Sequence, residues 1–477
     1  MKKKLRNIKL LVASSLLVGC GNSSLNEVTN SGSTNTTSAA ELRYQDVRPD
    51  VANAGSATEL DYRIVFVSYR DTDTDGENVA KIYKYDSAST DPSRFHSDDT
   101  FHHELDVKIS SNGAYVAFIT QNTEGAYQLF VEKWDNSSRV EITAPTGLVR
   151  WDEVVFADDN AGLAYSGLVS NDGTEQYVTG FAKLVETDNT LSVQTSATIA
   201  DSWQPRLTSS GSTEYLVVRS LNDQFQSSFS TYQIDDTGAP TLSSLKSTTA
   251  SISIQDEPVE VDGSGIYVLR ERDTARLKER IGDVAPGDDN KSARNYIYLR
   301  NEIASEPLTT DSNPTTFTGE NFLLYEPSDI YGLQSLGDNL FAVLGGDPVI
   351  CTKGSSFLST ILIYNASTGA VVPLYVKTNA DTRVSETLVV QACEHFVENT
   401  DQLLQPFERE IRSFRIRKQD ENTFFMVYEG WDGGDGEIYY ARFTVASLEE
   451  DNDAVKTDAN ISSQEVKAIS ANVPKDE

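Results

Sequence analysis

Strand-forming segments that recur in pairs, short extra strands flanking several of those pairs, and the scarcity of helical periodicity predict an all-β chain, a single β-propeller of four-stranded blades. The 477 residues are 38% hydrophobic and 9% aromatic, enough for a packed core, so disorder throughout is excluded. The first members of the pairs are Arg63-Ile-Val-Phe-Val-Ser, Ala114-Tyr-Val-Ala-Phe-Ile-Thr, Leu163-Ala-Tyr-Ser-Gly-Leu, Glu214-Tyr-Leu-Val-Val-Arg, Gly265-Ile-Tyr-Val-Leu-Arg, Asn339-Leu-Phe-Ala-Val-Leu and Thr423-Phe-Phe-Met-Val-Tyr. Each is rich in the β-branched and aromatic residues that suit a pleated, packed surface.

After each comes a polar loop and a second strand: Lys81-Ile-Tyr-Lys-Tyr, Tyr127-Gln-Leu-Phe-Val, Gln176-Tyr-Val-Thr-Gly-Phe, Phe229-Ser-Thr-Tyr-Gln-Ile, Asn295-Tyr-Ile-Tyr-Leu, Leu358-Ser-Thr-Ile-Leu-Ile-Tyr and Glu437-Ile-Tyr-Tyr-Ala-Arg-Phe. Strands also precede some pairs, as at Leu105-Asp-Val-Lys-Ile-Ser and Pro205-Arg-Leu-Thr, and follow others, as at Arg139-Val-Glu-Ile-Thr and Ala370-Val-Val-Pro-Leu. Four strands per unit, repeated about every 50 residues, is the layout that radial blades require, because it leaves only short, protected edges. Seven pairs predict seven blades, and the weaker first and last units leave six or eight open. Two β-sandwich domains are the alternative, but sandwiches do not require a recurring four-strand unit.

Before this repeat the chain reads differently. Met1 to Lys9 is a basic stretch, Leu10 to Val18 is apolar, and Leu17-Val18-Gly19-Cys20 follows. This is a secretory signal, too short to span a bilayer stably, and its end resembles a bacterial lipobox. The resemblance implies removal of residues 1–19 and acylation of Cys20, palmitate included, so that lipid chains hold the protein at a bilayer. The lack of Asp after Cys20 implies sorting to the outer membrane of a Gram-negative cell, on its periplasmic side or at the cell surface. Residues 20–41 are rich in Ser, Thr, Asn and Gly and read as a tether reaching about 25 Å. Residues 42–477 then form the propeller domain, with an acidic C-terminal segment.

The 40 Lys and Arg against 72 Asp and Glu give a formal charge of −32. Loss of Lys2, Lys3, Lys4, Arg6 and Lys9 with the signal makes the mature chain more negative still. Nucleic acid is therefore excluded as a partner, since phosphate binding needs clustered cations.

A more specific resemblance lies in residues 63–135 and 201–235. Val107-Lys-Ile-Ser-Ser-Asn-Gly-Ala-Tyr-Val-Ala-Phe-Ile-Thr followed by Tyr127-Gln-Leu-Phe-Val-Glu-Lys-Trp-Asp resembles the TolB-type propeller repeat, in which a Ser-Pro-Asp-Gly-like turn separates two strands. Ser209-Ser-Gly-Ser stands at the equivalent turn of the looser second match. Asn or Ser replaces the family's Pro-Asp, so the resemblance bears on fold more than on activity.

Several residue groups are candidates for chemistry. Asp71, Asp73 and Asp75 alternate before Gly76, which matches the first half of a calcium loop, but the ninth and twelfth positions are Val79 and Ile82. A solvated acidic turn is the other reading. His96, His102 and His103 lie with Asp98, Asp99 and Glu104 in one connection and have the donor types of a transition-metal site, though without regular ligand spacing. Cys351 and Cys393 are the thiols left after lipidation, and an oxidising compartment favours their disulfide. Thr274 to Ile281 predicts a short amphipathic helix in a basic insertion whose Arg270, Arg272, Arg276, Lys278 and Arg280 could dock an acidic glycan or protein. No nucleophile elbow, zinc-protease helix or phosphate loop is present.

The function these features imply is a membrane-anchored interaction module binding an envelope protein or polysaccharide. A carbohydrate-active enzyme such as a metal-assisted polysaccharide lyase is the alternative, and it would need several His or paired carboxylates converging on the central channel.

Overall fold

The computed structural model describes residues 45–56, 61–72, 78–97, 101–157, 160–210, 212–221, 226–247, 252–253, 259–261, 265–270, 296–302, 329–337, 340–351, 354–365, 371–374, 410–420, 423–432, 435–445 and 461–468. Among them there is no helix. Twenty-nine strands fall into seven antiparallel sheets, each built from consecutive stretches of chain.

The first sheet comprises β1 (Asp46–Asn53), β2 (Tyr62–Thr72), β3 (Asn78–Asp86) and β4 (Ser93–Arg94). The second comprises β5 (His103–Ile109), β6 (Tyr115–Gln121), β7 (Tyr127–Lys133) and β8 (Arg139–Glu141). The third has β9 (Leu148–Phe156), β10 (Gly162–Asn171), β11 (Thr174–Thr187) and β12 (Thr190–Thr195), with β13 (Ile199–Ala200) as an extra partner of β11. The fourth has β14 (Trp203–Ser210), β15 (Thr213–Leu221), β16 (Gln226–Asp235) and β17 (Thr241–Ser247), with β18 (Ile252–Ser253) on β16. The fifth shows three strands, β19 (Val259–Val261), β20 (Gly265–Arg270) and β21 (Tyr296–Glu302). The sixth is β22 (Asp329–Gly337), β23 (Leu340–Cys351), β24 (Gly354–Asn365) and β25 (Val371–Leu374). The seventh is β26 (Glu410–Lys418), β27 (Thr423–Asp432), β28 (Asp435–Val445) and β29 (Ile461–Ala468).

The first strand of each sheet touches the first strand of the next, and β26 returns to β1. Seven first strands therefore ring a central axis, and the later strands of each sheet radiate outward. This is a β-propeller, with seven sheets as the strand pairs predict. The short β13 and β18 have no counterpart in the sequence reading.

Among the described residues four junctions between sheets have their own apolar filling, which explains why the second strands there read as near-continuous apolar runs rather than alternating ones. In β2, Ile64 and Phe66 face the seventh sheet and pack with Phe425, Val427, Ile438 and Tyr440, while Val65 and Val67 face the second and pack with Val107, Val116 and Phe118. Trp151 and Leu163 fill the junction of the second and third sheets, and Phe181 with Leu216 that of the third and fourth.

Among the described residues the ring closes without an exchanged strand. Beyond the apolar packing, one parallel bridge joins Gln45 to Gly436, and Glu429 accepts the backbone N–H of Arg48 at 2.9 Å. Arg417 donates through Nε to the carbonyl of Val51 at 3.0 Å.

Candidate functional site

In six of the seven innermost strands one extra residue interrupts the pairing: within Val47–Asp50, at Leu105, at Asp152, within Trp203–Arg206, at Tyr331 and at Arg412. A β-bulge re-aims the side chains around it, and here it does so where the chain lines the channel. Arg48 and Gln204 occupy two of these bulges with φ of 55° and 50°, the left-handed region. The bulges are tied by side chains. Asp50 accepts the N–H of Val51 at 2.9 Å and, across the junction, that of Ile109 at 3.0 Å. Gln334 both donates to the carbonyl of Ile416 and accepts its N–H, standing in for a strand neighbour. Arg48 donates to the carbonyl of Leu105 at 2.8 Å, and Arg206 meets Glu153 at 2.6 Å.

Antiparallel order puts the loop joining the second and third strands at the same end of the sheet as the connection to the next sheet. Two of three polar clusters lie at this end, and the remaining one, between the first and second sheets, reaches from Glu104 at this end to Glu132 at the other. In the first sheet, Arg70 pairs with buried Asp46 at 2.6 Å, donates to Ser68 at 2.8 Å and sits 4.6 Å over the ring of Tyr83. Tyr83 donates to Asp71 at 2.9 Å, and burial, reinforced by Asp71, pushes its phenol well above the ordinary range.

The second cluster is enclosed between the first and second sheets. His96 is 7% exposed and sits among Phe95, Phe101 and Phe118 at ring distances of 4.9 to 5.1 Å. Its Nδ1 faces Glu104 and its Nε2 faces Glu132 at 2.9 Å. Glu104 also accepts the N–H of Ile82 at 2.7 Å, and Glu132 that of Asn136 at 2.8 Å. Arg139 stands 3.7 Å from Glu132. Burial works against the charge of the ring, but hydrogen bonds to the two glutamates outweigh it and hold the imidazole above its usual pKa.

The third cluster spans the third and fourth sheets. Register places Arg150, Leu168 and Tyr177 in one row across the third sheet, and Trp203 opposite Arg219 in the fourth. The two rows meet: Tyr177 and Trp203 lie 5.9 Å apart, and Arg219, fully buried, sits 5.8 Å over Trp203 and donates to Gln204 at 3.1 Å. Arg150 donates to the Tyr177 hydroxyl at 3.3 Å and stands 4.0 Å from Asp152. Among the described residues its Nε is buried without a hydrogen-bond partner. Burial raises the Asp152 carboxyl above its ordinary range; Arg150 opposes this, and Glu153 and Asp106 add to it.

These placements sort the residues singled out from sequence. Asp71 lies within β2, opposite Val79, rather than in an open loop, and its carboxylate is engaged by Tyr83; Asp73 and Asp75 lie outside the described residues. His102 and His103 meet ring to ring at 4.3 Å, but the three His residues do not form one ligand set. His96 is spent on two glutamates, and Nδ1 of His103 faces the N–H of Ala80 at 3.3 Å. Among the described residues no group of three His, Cys, Asp or Glu is arranged to hold a metal. Cys351 ends β23 opposite Gly354, at the tip of a hairpin rather than in a long loop. Arg270 ends β20. Cys20, Cys393, Arg272, Arg276, Lys278 and Arg280 lie outside the described residues, as does the amphipathic helix expected over residues 274–281. The cluster of the third and fourth sheets was not singled out from sequence; its available signals were Trp203, three residues before Arg206, and Tyr177, just after the Asn171-Asp172-Gly173 turn.

By fold the chain is a β-propeller. No protein-family model matches it, and no curated protein does. Among solved structures it is similar to the β-propeller domain of the Trilobed protease from Pyrococcus furiosus, at 10% identity over 83% of this chain and 95% of that one, with a TM-score of 0.46. It is also similar to the Pyrococcus horikoshii acylaminoacyl peptidase (9% identity, 83% of this chain, 51% of that one, TM-score 0.45) and to prolyl oligopeptidase B from Galerina marginata (13%, 84%, 49%, 0.46). The chain spans about half the length of these last two.

Proposed function

We propose that this protein is a binding module of the Gram-negative cell envelope, held to the outer membrane through acylated Cys20, that captures an envelope protein or polysaccharide at the connection end of its ring. The TolB-type repeat resemblance and the lipobox support the location, and the third cluster carries the binding reading. It sets half-buried Tyr177 and Trp203 beside the Arg150 guanidinium and the Asp152 carboxylate, at the end of a rigid ring. Binding sites combine such aromatic surface with a few fixed polar groups. The basic residues from Arg270 to Arg280 add a second contact for an acidic partner, and Asp71, Asp73 and Asp75 a calcium-dependent one.

A lyase would need imidazoles free to act. His96, enclosed and engaged at both nitrogens, does not offer one.

The test is affinity purification of the full-length protein from detergent-solubilised envelope, beside Cys20→Ala. Wild type should fractionate with the membrane and retain a protein or glycan partner, whereas Cys20→Ala should appear in the soluble fraction. If nothing co-purifies while the pure protein depolymerises uronic-acid chains, the binding reading is wrong.

A further inference from the structure

We propose that the wall formed by Arg150, Asp152, Tyr177, Trp203 and Gln204 is a subsite for one uncharged pyranose ring of a glycan. The inference rests on the binding reading above and narrows it to a ligand class.

Two polar groups at this wall have unused capacity among the described residues; Arg150, whose unpartnered Nε–H is closed off from solvent, holds them in place rather than reaching the ligand through that nitrogen. Tyr177 accepts from Arg150, and its own hydroxyl proton has no acceptor. Asp152 receives no hydrogen bond, only the 4.0 Å approach of Arg150. A phenolic donor and a carboxylate acceptor, both next to Arg150, match vicinal hydroxyls, which accept and donate from adjacent carbons. The C–H face of a pyranose in turn needs an aromatic face to lie on, which the half-buried indole of Trp203 supplies, with the Tyr177 ring inclined to it at 43° as a side wall. Arg219, stacked over Trp203 and bonded to Gln204, fixes the indole from behind, so little ordering remains to be done on binding.

Charge decides between a neutral and an acidic sugar. Arg150 is matched by Asp152, and Arg206 is taken by Glu153. Asp106 adds further negative charge close enough to act on Asp152. Adding Arg219 behind Trp203, Arg48 beside Asp106 and Glu175 near Tyr177, four cations face four anions, so no net positive charge is left to offset burial of a carboxylate and an uncharged ring is favoured.

The experiment titrates the full-length protein in detergent with neutral malto-, cello- and manno-oligosaccharides and with oligogalacturonates, following tryptophan fluorescence and binding heat. At least one neutral series should bind. Trp203→Ala should weaken it about tenfold or more, as loss of a stacking surface does, and Asp152→Asn, which keeps the size of the side chain, should weaken it severalfold. Lys133→Ala, in the second sheet, should bind as wild type. Should Trp203→Ala fail to fold by circular dichroism, Asp152→Asn and Tyr177→Phe carry the test. Binding of oligogalacturonates alone, unchanged affinity in Asp152→Asn and Tyr177→Phe, or no binding of any neutral sugar overturns the inference. A protein partner retained from the envelope together with no sugar binding overturns this inference alone; loss of both overturns the binding reading as well.

Discussion

Both ring nitrogens of His96 face carboxylate oxygens, and a carboxylate only accepts, so the ring must donate twice and be an imidazolium. Arg139, at the exposed rim, and Lys84 add positive charge beside Glu132. The pH consequence follows from the direction of the shift. The folded pKa lies above the unfolded value, so the stabilisation is full below about pH 6.5 and is lost as pH rises through the folded pKa. Urea unfolding at pH 6 and at pH 9 should therefore show wild type losing more stability between the two than His96→Gln does; equal losses would mean that His96 is neutral in the folded protein. The sequence showed the right residue types here but in the wrong grouping. His96, His102 and His103 are close along the chain, whereas the partner that completes the His96 site, Glu132, lies in β7 on the far side of the sheet.

At the level of the strand, the bulge is the recurring device of the inner ring. Asp50 shows what it achieves: by stepping out of register it frees a carboxylate to accept N–H groups from its own strand and from the next sheet. Asp50→Ala leaves the N–H groups of Val51 and Ile109 without their acceptor in a buried setting, at a cost of about 1–3 kcal/mol for each donor left unpaired. Chemical denaturation should show that loss, with Asp50→Asn, which keeps one acceptor, falling between the alanine variant and wild type. Second and third strands were legible because they are buried on both faces and read as apolar runs, Ile64-Val65-Phe66-Val67 most clearly. First strands were harder to see. Arg48-Pro49-Asp50 puts polar residues, a proline and a left-handed backbone in mid-strand, which in sequence reads as a loop, and the same features at Trp203-Gln204 hide the start of a strand that is legible only from Pro205 onward. The wall of the third and fourth sheets was illegible for the same reason, since Asp152 and Gln204 both belong to bulges.

Across the whole molecule, the junction of the first and seventh sheets is the one joint that chain continuity does not enforce. Every other pair of neighbouring sheets is linked by the chain itself; this one is held by Tyr62 stacked on Tyr440 at 4.3 Å, by Phe425 and Val427, and by a few polar ties. Tyr440→Ala should cost about 3–5 kcal/mol, as large-to-small changes in a packed core do. Hydrogen exchange should then show protection falling in β1, β2, β27 and β28 before it falls in β6 and β10; a uniform loss across all the sheets would mean that the ring opens nowhere in particular. Timing is a further consequence. Synthesis delivers Tyr62 first and Tyr440 some 378 residues later, on the order of 20–70 s at ordinary elongation rates. For that interval one apolar side of the earliest-made blade has nothing to cover it, so the nascent protein passes through a period of stickiness set by ribosome speed, and shielding by a chaperone matters most just before the last blade arrives.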